Sequence, residues 1–267
     1  MSGQSENFAM ISKNSPVPRY YQLAEHIRVQ IQSGKLRPGD RLPSERDLSQ
    51  QAGVSRMTAR QALAYLARAG LLHVRHGIGA FIAEPKVAYP ILHLRSFTES
   101  MAQAGKDVFS RVLVQAVGVP PPNVADALHM PPHGHAEPLV RLPGVEEVPL
   151  LLETSYISHR LCPGLDTAEL TDQSLYALFE SQYGLNVTRA QQTFEATTAS
   201  DYEQQIFGLD HEVPMLLLEG VTFTGTDLPL EYFKAVYRGD RCSFAFESRR
   251  TDAPIDTPAA QLSVRIS

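Results

Sequence analysis

Between Ser44 and Gly70 the residues specify two short helices joined by a turn so tight that few folds can contain it. Ser44 is a favoured N-cap, and Glu45 and Asp47 follow in the first turn, where the helix dipole stabilises negative charge. That helix ends near Gln51, and Ala52-Gly53-Val54 turns the chain before Ser55 caps a second helix from Arg56 to Ala69, stopped by Gly70. Helix, three- or four-residue turn with glycine, helix is the helix-turn-helix pattern. On the second helix Ala59, Ala62, Leu63 and Leu66 share one face and suit a core, while Arg56, Met57, Arg60 and Gln61 share another. Arginines one turn apart near the start of that helix match the chemistry of guanine, whose O6 and N7 together accept two hydrogen bonds from one guanidinium.

The flanks fit the same unit. Pro18 to Ile31 predicts a helix with Tyr20, Leu23, Ile27 and Ile31 on one stripe and Gly34 as its stop, followed by a turn-rich connector from Leu36 to Pro43. After Gly70, Leu71 to Arg75 and Ala80 to Ile82 read as strands around His76-Gly77-Ile78-Gly79, a hairpin placed as a wing beside the second helix. The two glycines do not make a phosphate cradle, because no helix start and no lysine follow them.

Charge supports a nucleic-acid partner for this part alone. Residues 16–83 hold ten Lys and Arg against four Asp and Glu, whereas residues 84–267 hold thirteen against twenty-four, so the formal charge of −5 hides a basic quarter and an acidic remainder. Cys162 and Cys242 stand far apart with no metal spacing, which fits free thiols in a reducing compartment. His133-Gly134-His135 with Glu137 lies among prolines and reads as a loop, so neither a metal nor a cofactor is expected. No apolar run approaches the ~18 residues of a membrane helix, and the N-terminus lacks a leader pattern; a cytoplasmic protein is expected.

Beyond a Pro-bounded linker from Glu84 to Pro90, strands are predicted at Val112–Val117, Leu139–Leu142, Leu150–Ile157, Met215–Phe223 and Leu230–Tyr237. Helices are predicted at Phe97–Ala104, Pro122–Leu128, Ser174–Tyr183 and Ser200–Phe207. Strands interspersed with short helices imply an α+β domain on a mostly antiparallel sheet. No Ser/His/Asp or Cys/His grouping emerges, so no catalytic residue is assigned.

Leu42-Pro43-Ser44-Glu45-Arg46-Asp47-Leu48, Gly53 to Leu63, Gly70-Leu71 and Gly77 to Ile82 together resemble the winged-helix domain of the GntR family of bacterial repressors. The resemblance implies DNA contacts from Arg46, Arg56, Arg60, His76 and Gly77. Ser44, Ser55 and Thr58 are added as phosphate contacts, since hydroxyls and helix N-termini hold phosphate oxygens. In the wing, Ile78 and Ala80 replace the basic residue and threonine common in the family.

The acidic remainder resembles the UTRA effector domain of the HutC subfamily, a chorismate lyase-like fold, through Ser96 to Met101, Glu153, Ser174-Leu175-Tyr176 and Pro229 to Arg241. That resemblance implies a small-molecule site built from Ser96, Phe97, Thr98, Arg141, Glu153, Ser174, Glu231 and Tyr237. Ser96 and Thr98 at a helix start, with Arg141, suit a phosphate or carboxylate, while the glutamates and Tyr237 suit a polar or amino end. Sugar-phosphate binders carry a second arginine two residues after the first; here that position is Pro143, which leaves carboxylates open.

The expectation is a ligand-responsive, homodimeric repressor released from an inverted-repeat DNA operator by a small anionic metabolite. The winged helix would occupy 16–83, a linker 84–95, the UTRA domain 96–250 and a loose tail 251–267. Residual lyase-like activity and ligand-independent DNA binding are the alternatives.

Overall fold

The computed structural model describes residues 11–75, 77–89 and 94–245. They divide into a first compact unit running to Val87, joined by Leu209–Met215 and Arg238–Arg241, and a second made of the rest.

The first unit holds α1 (Arg19–Gln32), α2 (Glu45–Ala52), α3 (Arg56–Arg68), β1 (Leu72–Arg75) and β2 (Gly79–Ile82). Its core takes Leu23 and Ile27 from α1, Leu48 from α2, Leu66 from α3 and Ile82 from β2. The apolar spacing of α1 and α3 therefore does what it predicts: each helix turns one stripe inward. β1 and β2 pair antiparallel, Leu72 opposite Ile82 and Arg75 opposite Gly79, making the wing hairpin.

In chain order there follow β3 (Val87–Tyr89), α4 (Phe97–Gln103), β4 (Val108–Gln115), α5 (Pro122–Ala127), β5 (Ala136–Val145), β6 (Val148–Pro149) and β7 (Leu151–Ser158). Then come α6 (Leu175–Tyr183), β8 (Val187–Thr198), α7 (Asp201–Phe207), β9 (Pro214–Thr224), β10 (Pro229–Arg238) and β11 (Cys242–Phe244). The main sheet runs β4-β5-β7-β10-β9-β8, with β6 attached to β5. Its ladders β4–β5, β5–β7 and β7–β10 are antiparallel. Phe179 and Leu175 of α6 bury against Leu139, Ile157 and Leu230 of the sheet, so α6 covers part of one face.

Two expectations need correcting, and one is refined. The strand expected at Val112–Val117 is β4, Val108–Gln115, displaced because its apolar residues do not mark a core: Leu113, Val114 and Val117 are exposed, and the ladder is broken by a bulge between Val112 and Val114. The Pro-bounded stretch expected as a linker from Glu84 to Pro90 includes the three-residue strand β3. The twelve-residue β8 was not expected at all, since Thr and Gln make up half of it and no residue in it is buried. The tail 251–267 lies outside the described residues.

Candidate nucleic-acid interface and ligand cavity

Capping fixes the ends of α2 and α3. Ser44 accepts from the Asp47 N–H at 3.2 Å, Ser55 accepts from the Thr58 N–H at 3.1 Å, and Gly53 closes α2 at φ +64°, a conformation open to glycine without strain. With Ala59, Ala62 and Leu66 turned inward, Arg56, Met57, Arg60 and Gln61 face solvent. Met57 is 60% exposed, an apolar group that a thymine methyl or sugar edge would cover. Arg46 is exposed at the start of α2, its Nε 3.9 Å from Asp47 Oδ1. Ser44 donates its hydroxyl to Asp47 Oδ2 at 2.7 Å, and the Ser55 and Thr58 hydroxyls lie 2.8 Å apart, so all three expected phosphate contacts already serve the caps. Gly77 is exposed at φ +73°, and His76 lies outside the described residues.

One residue of this unit was missed. Arg41 Nη2 donates to the Ile78 carbonyl at 2.6 Å, and its Nε would lie 3.0 Å from a Cβ at Gly79, so Arg41 braces the wing turn. It stands in the turn-rich connector, where no periodicity marks it.

The second unit encloses a cavity of about 200 Å³ on one face of the sheet. Strand alternation sets its floor: Glu231, Phe233, Ala235 and Tyr237 are alternate residues of β10, with Arg141 of β5 and Glu153 of β7 alongside. Thr188, Ala190 and Gln192 of β8 form one wall, and Ser96, Phe97 and Tyr176 approach from the starts of α4 and α6. Arg95 and Arg189 also line it. Six of the eight expected residues therefore meet in one space: Ser96, Phe97, Arg141, Glu153, Glu231 and Tyr237. Thr98 and Ser174 are not part of its lining. Ser174 instead caps α6, lies 3.0 Å from the Ser96 hydroxyl and donates to Glu99 Oε1 at 2.5 Å, tying the two helix starts together.

The cavity lining holds three arginines, Arg95, Arg141 and Arg189, against two glutamates, Glu153 and Glu231. Arg141 and Glu153 are cross-strand neighbours, and Arg141 Nη2 donates to Glu153 Oε2 while Nη1 donates to the Gln173 carbonyl at 3.2 Å. Arg141 is 3% exposed, and its Nε is buried without a partner. Glu231 is 1% exposed and accepts from Ser155 Oγ at 2.6 Å and Thr222 Oγ1 at 3.2 Å. Burial first, and the charge of Glu153 second, push its carboxyl up to about 7 despite those two donors. Among the described residues no cluster of His, Cys, Asp and Glu is placed to hold a metal ion.

Phe233 and Ala235 could have been found by continuing the period-two count from Glu231 to Tyr237. The β8 wall and Tyr176 gave no comparable signal.

This arrangement has counterparts. Residues 19–82 match the model of bacterial regulatory proteins of the gntR family, and residues 103–243 match that of the UTRA domain. The chain belongs to the GntR family. It is 34% identical over 234 residues to the HTH-type transcriptional repressor NagR of Bacillus subtilis, covering 88% of this chain and 96% of that one. To the HTH-type transcriptional repressor PhnF of Mycolicibacterium smegmatis it is 32% identical over 210 residues, 78% of this chain and 84% of that protein. The crystal structure of PhnF from Mycobacterium smegmatis superposes with a TM-score of 0.61 at 29% identity, covering 85% of this chain and 99% of that one. This GntR regulator has the architecture of the HutC subfamily, a winged helix-turn-helix followed by a UTRA domain on a mostly antiparallel sheet. GntR heads bind DNA operators, and UTRA domains bind small-molecule effectors.

Proposed function

We propose that this GntR regulator is a cytoplasmic, homodimeric repressor without enzymatic activity, whose 16–83 head reads half of an inverted repeat and whose 96–250 domain takes an anionic effector. The observation that carries the reading is a pairing of parts: an exposed Arg56–Arg60 face on a capped helix in one unit, and a polar cavity around Arg141 in the other. Relatives named as repressors support the direction of control. Two-fold symmetry follows from the small number of base contacts that a single head can make.

An anion entering the cavity meets an Arg141 already matched by Glu153. An anion that bonds to Arg141 takes the unpartnered Nε or draws the guanidinium away from Glu153, in either case altering how β5 and β7 are held together, and Arg95 and Arg189 are further cations of the lining. A ligand releases the operator only through a difference in its affinity for the DNA-bound and free arrangements.

The test is fluorescence anisotropy with an operator selected from random duplexes. Arg56→Ala with Arg60→Ala is expected to weaken specific binding at least a hundredfold, since each guanine contact is worth about 1–3 kcal/mol. Arg141→Ala is expected to bind the operator like the parent yet resist release by the effector found in a melting screen of carboxylates and sugar phosphates. Unchanged operator affinity in the double variant would overturn the assignment.

A further inference from the structure

Strand alternation divides the wing hairpin into two faces. Leu72 of β1 and Ala80 and Ile82 of β2 are buried in the core of the first unit, so His73, Arg75, Gly79 and Phe81 fall on the opposite, outer face. The connector before α2 widens that face. It runs antiparallel to β2, the Leu42 N–H donating to the Ala80 carbonyl and the Ile82 N–H to the Asp40 carbonyl, each at 2.9 Å, which sets Arg41 opposite Phe81. From there the Arg41 side chain reaches diagonally to Gly79, a same-face neighbour across the pair.

Gly79 makes the room. A Cβ there would lie 3.0 Å from Arg41 Nε and 3.5 Å from Nη2, so the guanidinium occupies the place of the absent side chain while Nη2 donates to the Ile78 carbonyl at 2.6 Å. Arg75 is paired with Gly79 from the other side, its guanidinium 5.3 Å from the centroid of the Phe81 ring. Two cations thus flank one glycine on one face. Both are exposed, and neither has an ion pair among the described residues. Like charges set side by side on a sheet destabilise it, so the arrangement is completed by an anion from outside. The same connector continues through Ser44 into α2, which carries the exposed Arg46.

We propose that Arg41 and Arg75 form a clamp for the DNA backbone on the outer face of the wing. Guanidinium groups bond phosphate oxygens with two parallel N–H groups, and such contacts position a protein on a duplex without reading its sequence. The clamp rests on the DNA-binding head of the preceding subsections and gives its wing a contact of its own.

The salt dependence of binding tests it, measured by fluorescence anisotropy with the full-length chain on the selected operator and on a random duplex of equal length. Arg41→Gln keeps an amide N–H for the Ile78 carbonyl and removes the charge; Arg75→Gln removes the other. Each is expected to lower the slope of log K against log salt by about 0.9 per head, and to weaken both duplexes by the same factor. Arg41→Lys and Arg75→Lys are expected to keep the parental slope, because either cation neutralises a phosphate. An unchanged slope in both Gln variants would overturn the clamp, whether or not binding weakens; weaker binding at an unchanged slope would leave Arg41 as a brace of the wing turn alone. A fall in the operator-to-random ratio would report a displaced recognition helix and would also count against it. If Arg46→Ala lowers the slope while the Gln variants do not, the clamp fails and the head stands; a parent that binds neither duplex would overturn both.

Discussion

At the scale of single residues the cavity is set by how charge is buried. Arg141 and Glu153 neutralise each other across a strand pair, whereas the burial of Glu231 is offset only in part by two hydroxyls and the charge of Arg141. Its folded-state pKa of about 7 lies above the ordinary 4.5, so the folded protein holds this proton more tightly than the unfolded chain. The associated stability is fully present below pH 4.5 and is lost as the pH rises through about 7. Glu231→Gln cannot ionise and should gain on the parent across that window by up to about 3 kcal/mol, at about 1.4 kcal/mol per pKa unit. Urea unfolding of both proteins at pH 5 and pH 8 checks this; an equal difference at the two pH values would refute it. The residue type alone points to a polar site at Glu231, but its protonation is set by neighbours on β7 and β9 that come together only in the sheet.

At the scale of elements, glycines separate two kinds of constraint. Gly53 sits at φ +64° with nothing within 4 Å of where a Cβ would stand, so Gly53→Ala meets only the backbone penalty, about 1 kcal/mol. Gly144 in β5 has no such φ, yet a Cβ there would lie 2.2 Å from the Val148 carbonyl and 2.5 Å from the Phe109 ring. Gly144→Ala should therefore cost about 3 kcal/mol or more. Chemical denaturation should rank the two in that order; a milder effect at Gly144 would mean that the β5–β6 turn yields. The first glycine was legible from the turn it makes between two capped helices. The second was not, because the atoms it admits come from β4 and β6, and their approach is a product of strand pairing. The same contrast separates α3, read correctly from four apolar residues on one face, from β8, which buries no residue and so leaves no pattern to read.

At the scale of the whole molecule, charge is divided along the chain: residues 16–83 carry a net +6 and residues 84–267 a net −11. DNA affinity should accordingly fall steeply with salt, since each neutralised phosphate releases counterions, and Arg46→Ala should lower the slope of log K against log salt by about 0.9 per head. Titrations on duplex DNA between low and moderate salt measure it; an unchanged slope would remove Arg46 from the interface. The sequence alone determined this division, the helix-turn-helix with its caps, and six of the sixteen residues around the cavity. Those features are local: a cap, a helical stripe or a strand alternation is encoded by neighbours a few residues apart. The tertiary structure decided which of those residues meet, giving Arg141 to Glu153, turning Ser174 to a helix start instead of the cavity, and placing a polar strand at the end of the sheet. Such pairings join residues far apart in the chain, and they follow from strand order and register, which no local pattern encodes.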